Sequence, residues 1–86
     1  MAEEQEIGRV MHYFSKASAA AIKLTAGELK VGDTIHIKGH TTDLTQVIES
    51  MQIEHNAVTE AKAGDDIGIK VKEHVREHDV VYKVTS

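Results

Sequence analysis

The feature that most constrains this chain is a succession of short β-type apolar runs, divided by turn signals, within only 86 residues. Residues 7–14 read as a first strand, 15–18 as a turn and 19–25 as a second strand. Gly27 and Gly32 then bracket Leu29 and Val31. Ile35 and Ile37 alternate with His36 and Lys38, which puts the two isoleucines on one face. After a turn at Gly39 to Asp43, residues 44–53 form a long apolar segment whose parity shifts between Ile48 and Met51. Leu44, Val47, Ile48 and Met51 fit helical spacing, and a strand with a β-bulge near Glu49 and Ser50 fits equally. Residues 56–65 read as a loop. Ile67, Ile69 and Val71 alternate with Gly68, Lys70 and Lys72, and Val80, Tyr82 and Val84 mark a last strand.

Six strands at near-regular spacing predict one all-β domain: a closed, six-stranded antiparallel barrel. Closure would remove the two free edges that an open sheet exposes to aggregation. The expected core is Ile7, Val10, Ile22, Leu24, Leu29, Val31, Ile35, Ile37, Ile48, Met51, Ile53, Ile67, Ile69, Val71, Val80, Tyr82 and Val84. With three aromatic residues and no cysteine, that core is aliphatic, and disulfides, thiolate metal sites and cysteine nucleophiles are excluded. No apolar run reaches the roughly 20 residues that cross a bilayer, and the acidic start is unlike a signal peptide. A cytoplasmic protein is expected, with no membrane contact. Residues 1–5 are expected to fray, leaving 6–86 as the domain. The net charge is −4, but Glu3, Glu4 and Glu6 carry three of the fourteen acids, so eleven face ten bases elsewhere. That near-balance gives no strong phosphate-binding footprint.

Leu29-Lys30-Val31-Gly32-Asp33 with Ile35, Ile37 and Gly39, then residues 47–53, then Glu60 to Ile69 with its Ala63-Gly64-Asp65-Asp66-Ile67-Gly68, form an ordered set. This set resembles domain 2 of the elongation factor Tu and 1A family, over almost the whole chain. The chain also looks like the small elongation-factor-like proteins that consist of this barrel alone. The resemblance favours the bulged strand over a helix at 44–53. It implies a translation-related binding module that docks on tRNA, ribosomal RNA, the ribosome or a translation-linked protein. No Gly-x-x-x-x-Gly-Lys-Ser/Thr loop is present, so GTP is neither bound nor hydrolysed. By alignment with the family's tRNA-end pocket, the matching positions are Gln52, His55 and Lys23.

Lys62, Lys70, Lys72 and Arg76 lie near one another in sequence and form a candidate basic stripe for RNA or a partner, although Glu73 and Glu77 interleave with them. His74 and His78 have a His-x₃-His spacing that suits zinc on a helix, but they fall between strands and no further ligand set completes a site. His78 stands where the family carries a glycine. Ser15, Ser18 and Ser50 with His12, His55 and Asp65 hold the atoms of a triad, yet no nucleophile elbow frames a serine. The expectation is therefore a binding protein and not an enzyme, without cofactor or metal. The alternative is a protein–protein adaptor domain supplied in trans to an enzyme.

Overall fold

Alternating burial along the chain follows the alternating sequence. In Thr34–Lys38 the two isoleucines are buried between partly exposed neighbours, and in Asp66–Lys70 Ile67 and Ile69 are buried while Asp66 and Lys70 face solvent. A computed structural model describes residues 3–85, and among these there are ten strands and no helix. They are β1 (Glu3–Phe14), β2 (Ala19–Leu24), β3 (Glu28–Lys30), β4 (Thr34–Lys38), β5 (Asp43–Val47), β6 (Met51–Ile53), β7 (Asn56–Val58), β8 (Glu60–Lys62), β9 (Asp66–Lys70) and β10 (Val80–Thr85). Eight form one antiparallel sheet in the order β5-β4-β10-β1-β2-β9-β6-β7, and β3 pairs with β8 in a separate ribbon.

The sheet curls over one aliphatic core that includes Ile7, Val10, Ile22, Leu24, Ile35, Ile37, Ile67, Ile69 and Val81, with Leu29 from the ribbon. Each such side chain contributes about 1.5–3 kcal/mol by leaving water. The long strand β1 serves two neighbours, β10 on one side and β2 on the other. It does so by register shifts between Glu6 and Gly8 and between Val10 and His12. At Gly8 the approach is so close that a Cβ would stand 2.3 Å from the Lys23 carbonyl oxygen, so no other residue fits.

Three turns share one local design. In Lys30–Asp33, Lys62–Asp65 and Arg76–Asp79 the last amide donates to the first carbonyl, at 3.0, 3.0 and 3.2 Å. The aspartate carboxylate in turn accepts the first residue's amide at 2.9, 2.9 and 2.8 Å. The third residue is left-handed in each: Gly32 at φ 98°, Gly64 at 99° and His78 at 73°. Glycine adopts that conformation freely, whereas His78 does so at a cost.

The closed six-stranded barrel is not what the chain builds: the main sheet is open. Residues 44–53 do not run as one bulged strand. The ladder breaks at Ile48, whose amide donates to the Asp33 carbonyl at 2.9 Å while its own carbonyl accepts Gly32 N–H at 2.8 Å. The segment is thereby divided into β5, an edge strand on β4, and β6, which pairs with β9. The space between β5 and the end of β9 is spanned by a side chain instead. Gln46, 7% exposed, donates from Nε2 to the Lys70 carbonyl at 2.8 Å and accepts the Lys72 amide on Oε1 at 3.0 Å. The supposed loop at 56–65 contains β7 and β8.

Two further expectations shift. Glu3, Glu4 and Gln5, assigned to a frayed end, are strand residues paired with Thr85, Val84 and Lys83, while residues 1 and 2 lie outside the described residues. In β10 it is Val81 that is buried, whereas Val80, Tyr82 and Val84 are only half-buried, as is Ile53; Val31 is exposed. Ala20, Leu44, Ala61 and Val75 join the core in addition.

Candidate functional site

On the face of the sheet turned away from the core, register sets the outward residues of β2, β9 and β6 side by side. Ala21 on β2 is opposite Gly68 on β9, and Gly68 is opposite Gln52 on β6. One step along the strands, Ala19 is opposite Lys70; one step the other way, Lys23 is opposite Asp66. A strand's outer face is ordinarily covered by β-branched or long side chains, and alanine and glycine are depleted there. Here Ala19, Ala21 and Gly68 leave the backbone almost bare, and a Cβ on Gly68 would meet nothing within 4 Å.

The result is a groove of about 500 Å³. Phe14, 49% exposed, stands along one side, and Gln52 with the β6–β7 turn along the other. That turn has two central residues, Glu54 and His55, at φ 51° and 67°. Two successive left-handed residues are the mark of a type I′ hairpin turn, which Asn-Gly fills without strain. Glutamate and histidine in those positions cost backbone energy, and both side chains line the groove. Lys70 and Asp66 lie at its two ends, and Lys23 Nζ is 3.9 Å from Asp66 in a solvent-exposed pair.

The sequence-derived candidates therefore separate. Gln52, His55 and Lys70 come together in the groove, with Lys23 at its margin. Lys62 sits on β8 in the separate ribbon, its amide held by Asp65, and Lys72 lies just beyond β9, its amide held by Gln46. Arg76 lines a more open depression with His12, Tyr13, Ser15 and His74. There Tyr13 stacks on His74 with ring centres 4.3 Å apart, and His12 Nδ1 is 3.2 Å from Glu77. No three histidine, aspartate or glutamate side chains gather as metal ligands among the described residues. Gly68, a glycine inside a predicted strand, points to a bulge or to close approach by another backbone, whereas Ala19, Ala21 and Phe14 give no such sign, because none carries chemistry alone. The signal that would have found them is Ala17-Ser18-Ala19-Ala20-Ala21, an alanine run inside a predicted strand.

The sequence matches no family model. Among solved structures, two forms of a chain described as the C-terminal domain of a U32 peptidase from Geobacillus thermoleovorans superpose on it. One has a TM-score of 0.85 at 23% identity and covers 92% of this chain and 91% of that one. The other, a selenomethionine variant, has a TM-score of 0.83 at 22% identity and covers 90% and 96%. The fold is that of a U32 peptidase C-terminal domain. An uncharacterized protease of Methanocaldococcus jannaschii is 49% identical over 78 residues, which is 90% of this chain and 19% of that protein. A collagenase of Porphyromonas gingivalis is 38% identical over 78 residues, 90% of this chain and 22% of that protein. The chain thus spans about a fifth of the length of the curated relatives it matches.

These likenesses overturn the elongation-factor resemblance and the translation function read from it. The motifs that carried that resemblance are the Asp-locked turns at Gly32-Asp33 and Gly64-Asp65, which are backbone devices open to any small β domain. The expectation that the chain is not an enzyme is corrected as well, since its relatives are named protease and collagenase. No helix among the described residues is long and apolar enough to cross a membrane.

Proposed function

We propose that this chain works in proteolysis as the β domain of a U32-type peptidase and that its part in that work is to hold polypeptide in the β2–β9–β6 groove. The observation that carries the reading is the bare floor of Ala19, Ala21 and Gly68 beside the exposed ring of Phe14. A flat floor of small residues admits another backbone at close range, and an aromatic wall gives an apolar side chain something to pack on. The likeness to a U32 peptidase domain and to proteins named protease and collagenase supports polypeptide as the bound class.

The test uses Gly68→Ile. Its added side chain enters open space and favours a strand, so the fold should persist while the groove is filled. Binding of long, end-capped peptides should be measured by fluorescence polarisation for both forms, with circular dichroism as the control for folding. The reading expects binding that falls at least tenfold in the plugged variant. Equal binding by both forms, or none by either, would sink it.

A further inference from the structure

The groove is closed along its length by opposite charges, and its dimensions restrict what fits between them. Asp66 and Lys70 are four residues apart on one strand, so their Cα atoms are separated by about 13 Å at roughly 3.3 Å per residue. Both project outward on the same face as Gly68, which lies midway. An extended peptide of three or four residues spans about 10–14 Å at 3.3–3.6 Å per residue. A volume of about 500 Å³ is in the range of small-ligand sites. Resting on the polypeptide reading above, we propose that the groove recognises short linear peptides by both free ends, the α-ammonium at Asp66 and the α-carboxylate at Lys70.

Asp66 is 3.9 Å from Lys23 and both are well exposed, so that pairing is loose and easily exchanged for a ligand's ammonium. The Lys70 ammonium enters none of the ion pairs or hydrogen bonds among the described residues, although the residue's carbonyl is held by Gln46. The carbonyl contact fixes the backbone and leaves the charge to the groove. Between the two charges, a ligand's central side chain rests above Gly68 and beside Phe14, and Gln52 supplies an amide to its backbone. Ligands of this kind are what a peptidase releases, so the groove that holds polypeptide also retains short product.

The experiment is titration calorimetry on the intact chain with tripeptides and tetrapeptides carrying a central leucine or phenylalanine. Each is offered with free ends, acetylated, amidated or capped at both ends. The proposal expects free peptides to bind, and each cap to weaken binding about tenfold, the typical worth of one charge-assisted contact. Asp66→Asn should remove the penalty for acetylation alone, and Lys70→Gln the penalty for amidation alone. If fully capped short peptides bind as well as free ones, recognition of the ends is wrong. If long capped peptides bind and Gly68→Ile abolishes that binding while short free ones are ignored, this inference fails and the polypeptide reading survives. If neither class binds, both fall.

Discussion

One face of one sheet carries two opposite surfaces. Over β4, β5 and β10 the outward face carries a bonded cluster centred on His36: its Nδ1 is 2.8 Å from Glu4 and its Nε2 is 2.5 Å from Asp43, with the Tyr82 ring alongside. That imidazole is only 14% exposed. Over β2, β9 and β6 the corresponding positions hold Ala19, Ala21 and Gly68, and the backbone is bare. The same alternation rule builds both halves, so the difference lies in what the outward positions are used for. In the first half they brace the sheet across β1, β4 and β5. In the second they give up packing, and the strained Glu54-His55 turn at the rim adds to that cost. Stability has been concentrated on one side and a binding surface left on the other.

The seam between the halves is the place where the comparison breaks most severely. Gln46→Leu removes the amide that joins β5 to the end of β9 and leaves the Lys70 carbonyl and the Lys72 amide without partners. A loss of about 2–3 kcal/mol is expected in urea unfolding, most of it the cost of two poorly solvated backbone groups. A loss below about 0.5 kcal/mol would mean that the halves are joined by other means.

Within the braced half, His36→Leu should cost about 1 kcal/mol at pH 6, as exchange of two charge-assisted contacts for a half-buried apolar group implies. The hydrogen bond that His36 donates to Asp43 raises the imidazole above its ordinary 6.5, partial burial opposes this, and Glu4 raises it further. The sign follows directly: stability from the imidazolium is fully present below the unfolded value and is lost as pH rises through the higher folded value. Unfolding midpoints of the wild type should therefore decline above about pH 6.5, and His36→Leu should flatten that decline. A wild type whose stability rises across this window would contradict the assignment.

The open half should respond in the opposite sense. Replacing Glu54-His55 by Asn-Gly relieves two left-handed residues and should stabilise the chain by about 1 kcal/mol while weakening peptide binding. The smallest expected change in stability, within about 0.5 kcal/mol, belongs to Gly68→Ile, which nevertheless abolishes the groove. Thermal denaturation and peptide titration of the same variants sharpen the contrast between a surface kept for strength and one kept for contact.

Much of the fold is legible where one periodicity prevails. Ile35 and Ile37, or Ile67 and Ile69, declare their face because their neighbours are polar or glycine. The sequence is ambiguous where apolar residues occupy both parities, as in Val80-Val81-Tyr82-Lys83-Val84. There the β1 bulge between Glu6 and Gly8 decides that Val81 turns inward, and that pairing is remote in sequence. Sheet closure was equally out of reach, because it depends on whether residues 48–50 continue a ladder or turn towards Gly32-Asp33. Of the site, Gln52, His55 and Lys70 were visible as polar candidates. Of its floor only Gly68 is legible, as a glycine inside a strand that points to a bulge or a close backbone approach; Ala19 and Ala21 are not, since their informative property is the side chain they lack.

The pairing of Glu3 with Thr85 has a mechanical consequence. These two residues are antiparallel partners at the same end of the β1–β10 ladder, so a force that draws them apart loads its hydrogen bonds in sequence rather than together. The ladder would part like a zip, at far lower force than strands sheared along their length. Tension between those two points is then absorbed by opening β1 from β10 while the groove, on strands farther along the sheet, yields last.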